Sequence, residues 1–269
     1  MTDSTTLVLR LAAPIQSWGG RSQYNRRETL NEPTKGGILG LLAAADGRRR
    51  SDPIEDLLRL RLGVRTDQPG TLMRDYHTVS DYRGVPLLSA AISGKGTQKP
   101  TSPAKHVHVT QRYYLQDAVF VAAVSGIPDT VRALREALRR PAYPLALGRR
   151  SCVPTHPLVL DPPDMTPDGL WQADLAHVLG AVAWQASPAH QRTVGRTPSP
   201  PPQVHLPITI DDPAGDDIRT DVPRSFDPLR RELTSRRVRQ DWVTVATPFT
   251  APESAPANPQ QDPFALLEW

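Results

Sequence analysis

The amino-acid sequence predicts an α+β fold built on a split βαβ sheet with two helices on one face. Short apolar runs typical of strands alternate with two helical patterns along residues 1–160. A long polar stretch interrupts this order, and the segments that flank it could pair as a hairpin. The chain has 29 prolines among 269 residues, about twice the usual ~5% share, so we expect many loops and extended segments.

The N-terminal elements follow from ordinary strand and helix signals. Residues 6–11, TLVLRL, have strand character and precede Pro14. Thr34 occupies an N-cap position before residues 35–47, KGGILGLLAAADG, which are apolar all round, as expected for a short buried helix. A second helix over residues 53–60 and a strand at LGVRT complete this part of the prediction.

The middle of the chain predicts a hairpin, a strand and a helix. Residues 73–112 are expected to form a projecting β-hairpin, because a polar excursion of this length inside a compact domain is usually functional. Residues 113–124, YYLQDAVFVAAV, are continuous enough in apolar character to predict one central strand. Pro128 and Asp129 then open an amphipathic helix that ends before Pro141.

The C-terminal part gives weaker signals. We expect residues 161–246 to form a smaller, irregular and β-rich portion beside the domain of residues 1–160. Within it, LWQADLAHVLGAVAWQA is interpreted as a helix running into a strand, and residues 240–246 as a last strand. The tail at 247–269 is rich in Pro, Ala and Gln and is not expected to fold alone, although its FALLEW end could dock as an apolar anchor.

Composition excludes several classes of protein. The single cysteine rules out an internal disulfide and a cysteine-based zinc site, and favours a reducing compartment. No signal peptide is visible, and no apolar stretch approaches the roughly 20 residues of a membrane span, so a cytoplasmic protein without a membrane partner is expected. His106 and His108 share a strand face but lack a third ligand, and cofactor motifs are missing, so neither metal nor cofactor is expected.

Arginines beside glycines are the main functional signal. The net charge is only +4, but the bases come in doublets, and an arginine pair such as that at 149–150 could serve a solvated turn, a structural ion pair or a grip on phosphate. The amides of residues 35–37, at a predicted helix start, could seat a phosphate. Aromatic residues lie near these sites, and cationic grooves with stacking rings are typical of single-stranded nucleic-acid binding.

Tyr76 and His77 allow two interpretations. Together with a lysine such as Lys95, Lys99 or Lys105, they could cleave RNA by general acid–base chemistry without a metal ion. Alternatively, they could stack on or hydrogen-bond to a nucleotide and perform no chemistry. The residues themselves favour neither interpretation.

Several motifs, in order, carry a resemblance to a known family. They are LVLRLAAPIQSWG, PTKGGILGLLAAADG, RDYHTV followed by DYR, RYYLQDAVF and RRPAYPLALGRRSCVPTHPL. In these the chain resembles the CasD subunits of type I-E CRISPR Cascade, from the fifth Cas protein family of the RAMP superfamily. The resemblance implies a ferredoxin-like, RNA-recognition-like fold whose hairpin forms a thumb. It also implies a non-catalytic role in antiviral defence: holding the 5′ handle of the crRNA beside the backbone and large subunits, with target DNA contacted only indirectly.

The predicted RNA-binding residues combine this resemblance with the arginine pattern. The resemblance places Arg112 at the foot of the thumb, where a wedge could splay a base between handle and spacer. Cys152 is expected to pack behind the glycine–arginine turn. The full set is Gln16, Trp18, Gly19, Arg21, Arg26, Lys35, Arg74, Tyr76, His77, Arg112, Tyr143, Arg149 and Arg150.

Overall fold

A computed structural model describes residues 5–20, 25–81, 94–95, 106–163, 168–227 and 232–249. The strands are β1 Thr5–Ala12, β2 Ile15–Gln16, β3 Arg26–Arg27, β4 Arg61–Gln68, β5 Thr71–Asp81, β6 His106–Gln116, β7 Val119–Gly126, β8 Val159–Leu160, β9 Trp171–Gln172, β10 Gln203–Asp211, β11 Asp217–Pro223 and β12 Leu233–Ala246. The helices are α1 Lys35–Ala45, α2 Glu55–Leu58, α3 Pro128–Arg139, α4 Leu175–Ala181 and α5 Pro188–Gly195. The predicted α+β class is confirmed.

The main sheet has eight strands in the order β11-β12-β10-β4-β7-β1-β8, and β9 also pairs with β1. All of these pairs are antiparallel. Helix α1 lies in the chain between β1 and β4, and α3 lies between β7 and β8. The C-terminal strands extend the same sheet, because β10 pairs with β4.

Both faces of the sheet centre are covered. On β1, Leu7, Leu9 and Leu11 belong to the core cluster that includes the buried residues of α1 and α3. Val8 belongs to a second cluster, with the apolar side of α4. Because successive strand residues point to opposite faces, a strand covered on both sides is continuously apolar.

The prediction of one strand at residues 113–124 is wrong. The chain turns at Asp117, which has a φ of 55°, so β6 ends at Gln116 and β7 begins at Val119. Gly70 packs against this turn with a φ of +72°, and an added Cβ would lie 2.4 Å from the carbonyl oxygen of Gln116. The apolar run therefore crosses from a second, smaller sheet into the main sheet.

The second sheet contains the predicted hairpin. Strands β5 and β6 pair in one antiparallel register from Thr71 opposite Gln116 to Asp81 opposite His106. On the other side of β6, the short β2 pairs antiparallel and β3 pairs parallel. The strand pairing of the hairpin is confirmed; of its tip, only residues 94–95 are among those described.

Several helix and strand predictions are met in part. The Thr34 hydroxyl caps α1 by accepting from the backbone N–H of Gly37, and Gly47 beyond its end has a φ of 78°. The helix predicted over 53–60 is only α2, Glu55–Leu58. The last strand is longer than predicted, since β12 begins at Leu233.

A buried ion pair on β4 holds the segment after α4, where a strand was expected. Arg65 and Asp67 of β4 are paired at 2.7 Å with no side-chain exposure. Arg65 also donates to backbone carbonyls of Leu179, Val182 and Ala183, which fixes the chain leaving α4. The predicted strand within LWQADLAHVLGAVAWQA does not form there, while β10, β11 and α5 were not predicted.

No helix in the described part of the chain is long and apolar enough to cross a lipid bilayer. The FALLEW segment of the tail lies outside the described residues.

Candidate nucleic-acid interface

One face of the hairpin is exposed and carries basic and aromatic side chains. Alternation along the paired strands, together with the register of β3 on β6, places one set of side chains on this face. We call this face the hairpin platform and define it as Arg26, Leu72, Arg74, Tyr76, Thr78, Val109, Gln111 and Tyr113. Tyr76 is its most prominent member, with 64% of its surface exposed. Its charged members, Arg26 and Arg74, are both basic, so the platform suits a polyanion that also offers flat rings.

Arg26 and Tyr113 are in contact on the platform. The guanidinium carbon of Arg26 lies 5.2 Å from the centre of the Tyr113 ring, which is a cation–π distance. Its Nε donates to Glu28 at 2.9 Å. Arg74, which lies opposite Tyr113 in the register, is exposed and makes no ion pair with any described residue.

The opposite face of the hairpin is less exposed and holds His77 and Arg112. The Nδ1 of His77 lies 3.3 Å from the Thr110 hydroxyl. Arg112 is half-buried, and its Nε has no hydrogen-bond partner among the described residues. Tyr76 and His77 are neighbours in one strand and therefore point to opposite faces.

The two arginines of the glycine–arginine turn differ in their surroundings. The guanidinium of Arg149 donates to the carbonyl oxygens of Tyr113 at 3.0 Å and Arg27 at 2.8 Å. It also lies 4.7 Å from the centre of the Tyr114 ring. Arg149 thus ties β3 to β6 beneath the platform. Arg150 is exposed and has no ion pair with a described residue.

The turn itself requires glycine. Gly148 has a φ of +97°, and a Cβ added there would lie 1.7 Å from the carbonyl oxygen of Ser17. The backbone N–H of Ser17 in turn donates to Leu147 at 3.1 Å. Cys152 is buried behind this turn as predicted, and burial raises the pKa of its thiol.

Gln16 and Trp18 are interior residues. Both are fully buried. The Gln16 amide donates to the carbonyl oxygens of Leu11 and Ala118, and its oxygen accepts from the Trp18 indole at 3.1 Å. Neither side chain can touch a ligand in this conformation. We therefore assign them a positioning role beneath the loop, in place of direct RNA contact.

The phosphate seat predicted at residues 35–37 is already filled by a carboxylate of this chain. The backbone N–H of Lys35 donates to Asp221 at 2.8 Å, and that of Gly37 donates to the Thr34 hydroxyl. The ammonium of Lys35 is buried and pairs with Asp211 at 2.8 Å. Asp221 is an anion at the positive end of a helix, so it satisfies the site from within the fold.

Arg236 completes this buried charge network. It donates to Asp221 at 2.7 Å and pairs with Asp211 at 2.5 Å. Burial opposes ionisation of Asp211, but the charges of Arg236 and Lys35 outweigh it and hold the pKa of Asp211 below its usual value. The acids and Arg236 lie more than 170 residues from Lys35 in the chain, and no local pattern could have indicated them.

The other predicted residues are placed as follows. Gly19 is exposed, and a Cβ added to it would meet nothing within 4 Å. Tyr143 has 44% of its surface exposed. Arg21 lies outside the described residues, as do the side chains of His106 and His108 and all of Lys99 and Lys105; Lys95 is exposed. Among the described residues, no cluster of three or more His, Cys, Asp or Glu side chains could hold a metal ion.

The predicted RNA-binding residues include Arg26, Arg74 and Tyr76 of the platform. They do not include Gln111, which lies at its centre. Gln111 is opposite Tyr76 on β5 and opposite Arg26 on β3. A lone glutamine carries no signal, but its alternation with Tyr113 in the predicted hairpin could have placed both residues on one face.

This chain, an antiparallel sheet with an exposed basic and aromatic hairpin, matches a known protein family along most of its length. The sequence model of a family described as CRISPR-associated protein (Cas_Cas5) matches residues 6–239. The chain belongs to this Cas5 family of CRISPR-associated proteins.

Individual relatives agree with this assignment. The chain is 36% identical over 172 residues to the CRISPR system Cascade subunit CasD of Escherichia coli strain K12, which covers 57% of this chain and 69% of that protein. Among solved structures, a chain of a CRISPR RNA-guided surveillance complex matches with a TM-score of 0.68 at 31% identity, covering 90% of this chain and 91% of that one. A crystal structure of a Cas protein matches with a TM-score of 0.61 at 32% identity, covering 90% and 95%.

Proposed function

We propose that this protein is the CasD-type subunit of a type I-E Cascade surveillance complex, and that its hairpin platform binds the 5′ handle of the crRNA without cutting it. One observation carries the proposal: basic and aromatic side chains share one exposed face of the hairpin. RNA with unpaired bases is recognised by rings that stack and by cations that contact phosphate.

The core topology supports this role. The order β4-β7-β1-β8, with α1 and α3 as the connections, agrees with the order expected for a ferredoxin-like sheet, on which RNA-recognition modules are commonly built. The β5–β6 hairpin would be the thumb. The similarity to a chain of an RNA-guided surveillance complex supports partners of the same kind: the crRNA, the backbone and large subunits, and indirectly the target DNA. A cytoplasmic location fits such an assembly.

The geometry of the hairpin strands supports a non-catalytic role. The alternative, a metal-independent endoribonuclease, needs Tyr76 and His77 to act on one phosphodiester. Their side chains point to opposite faces of the hairpin, so they cannot converge on a single scissile bond in this arrangement.

The test of RNA binding uses the assembled complex. The chain is co-expressed with the other Cascade subunits and a CRISPR array, and RNA in the purified complex is treated with single-strand ribonuclease. The proposal predicts that the 5′ handle is protected in the wild-type complex and digested when Arg26→Ala and Arg74→Ala are combined. Equal protection in both complexes would refute the assignment of the platform.

Cleavage is tested separately with repeat RNA in EDTA. We expect the RNA to stay intact with both wild-type protein and His77→Ala. Cleavage by the wild type alone would favour the endoribonuclease alternative.

A further inference from the structure

We propose that Gln111 determines specificity on the hairpin platform by selecting a nucleobase with a keto oxygen, uracil or guanine, over one with an amino group, cytosine or adenine. This inference rests on the proposed function and names the kind of base that the platform prefers.

Gln111 lies where a base stacked on the platform would present its edge. It is directly opposite Tyr76 on β5 and Arg26 on β3, and it lies two residues before Tyr113 on the same face. Neighbouring strands are about 4.8 Å apart, and residues on one face of a strand are about 6.8 Å apart. A base resting on the exposed ring of Tyr76 would therefore have an edge within reach of the Gln111 amide.

The amide is oriented by its neighbours. Its oxygen, Oε1, accepts from the hydroxyl of Tyr113 at 3.4 Å. The backbone N–H of Gln111 donates to the carbonyl oxygen of Asn25 at 2.7 Å, which fixes the strand beneath it. Its Nε2 has no partner among the described residues. Because Oε1 already accepts one hydrogen bond while both N–H groups of Nε2 are unused among the described residues, the amide meets a ligand mainly as a donor.

Arg26, which lies opposite Gln111 in the register, is also a donor only; its Nε is occupied by Glu28, so its terminal N–H groups are the ones that can meet a base. The pair therefore offers N–H groups to the base edge. Uracil O4 and guanine O6 accept hydrogen bonds, whereas cytosine N4 and adenine N6 at the corresponding ring positions donate them. A donor facing an amino group is left unpaired, which is the usual basis of discrimination between such bases.

The test measures the affinity of the full chain for matched pairs of single-stranded RNA. Each RNA is a homopolymer of twelve uridines (U12), cytidines (C12), inosines (I12) or adenosines (A12). U12 and C12 differ at the C4 substituent and the N3 proton of the pyrimidine, and I12 and A12 differ in the corresponding way at C6 and N1 of the purine. We expect the wild type to bind U12 over C12, and I12 over A12, by roughly three- to tenfold, as one net hydrogen bond would give.

Substitutions of Gln111 distinguish selection of the base from general affinity for RNA. Gln111→Ala should bind both members of each pair equally. Gln111→Glu should shift the preference toward C12 and A12, because a carboxylate only accepts. Gln116→Ala is the matched control, since Gln116 is exposed on the same strand but points to the other face, and it should keep the wild-type preference.

The outcomes are distinguishable. Salt-sensitive binding of all four RNAs without a preference, or a preference that survives Gln111→Ala, would overturn the role of Gln111 and leave the proposed function intact. Failure of the wild type to bind any of them would overturn both. Circular dichroism of each variant checks that the fold is retained.

Discussion

At the scale of single residues, the arginine doublet at 149–150 serves two different purposes. Arg149 donates to backbone carbonyls of β3 and β6 and lies over the Tyr114 ring. Arg150 is exposed. The sequence left open a turn, an ion pair or a phosphate grip, and the structure gives Arg149 a fourth role, as a clamp on the backbone. Nothing in the local sequence could distinguish it from its neighbour, because its acceptors lie on other strands.

This difference makes the doublet a matched pair for mutation. Arg149→Ala should lower the free energy of unfolding by roughly 1.5 kcal/mol, the value of a charge-assisted hydrogen bond that is partly exposed. Arg150→Ala should leave stability within about 0.5 kcal/mol of wild type. Urea unfolding of the two variants measures both values, and equal losses would contradict the clamp.

Gly148 gives a second prediction at this scale. Gly148→Ala should destabilise the protein by at least about 2 kcal/mol, because alanine would adopt a strained positive φ and also collide with Ser17. Gly19→Ala is the control, since its added Cβ meets nothing within 4 Å. Thermal unfolding of both variants provides the comparison. A Gly148→Ala protein as stable as Gly19→Ala would show that the turn can relax.

At the scale of elements, the start of α1 depends on strands from the far end of the chain. Asp221 caps the helix amide, while Asp211 pairs with the Lys35 side chain and is itself held by Arg236. The sequence correctly predicts the helix and its Thr34 cap from local signals. It could not show that the helix start is already occupied, because Asp211 and Asp221 come from strands of the C-terminal portion.

The charge network predicts a pH dependence of stability. The folded pKa of Asp211 is below its usual value, so its contribution is fully present above about pH 4 and is lost as pH falls through the folded pKa. Asp211→Asn should cost about 3 kcal/mol at pH 7, because Lys35 and Arg236 would lose a buried partner. The difference between wild type and Asp211→Asn should shrink as the protein is acidified.

Urea unfolding at pH 7 and pH 3 measures this difference. Asp212→Asn serves as a control, since its side chain is 31% exposed and its pairing with Arg239 is long, at 3.5 Å. A difference that stays constant with pH would mean that Asp211 does not titrate with the fold.

The division of residues 113–124 between two strands is a feature that the sequence pattern did not predict. A run that is apolar except for Gln116 and Asp117 predicts a buried strand, and both β6 and β7 are strands in this region. The break at Asp117 depends on a positive φ and on Gly70 packing against it, which are contacts between distant residues. Burial could thus be predicted from composition, whereas membership of two different sheets could not.

At the scale of the whole molecule, the stretch of chain from β4 to β7 passes from the main sheet into the hairpin of the platform and back again. β5 follows β4 directly, and β6 leads into β7 through the Asp117 turn. The hairpin is therefore joined at its base to β4 and β7, two largely buried strands of the main sheet. The α+β class, the hairpin and the family were predictable from ordered motifs, while the joining of the C-terminal strands to the same sheet required long-range pairing.

The central claim is that the hairpin platform holds RNA and that the exposed aromatic surface at Trp242 does not. Tyr76 on the platform and Trp242 on β12 are exposed to almost the same extent, 64% and 65%, so Tyr76→Ala and Trp242→Ala form a matched comparison. The measurement is the affinity of each variant for repeat-derived single-stranded RNA by fluorescence anisotropy. Tyr76→Ala should lose about 1–3 kcal/mol of binding free energy, the value of one stacked base, and Trp242→Ala should bind like wild type. Equal affinities for the two variants, or a loss confined to Trp242→Ala, would contradict the account.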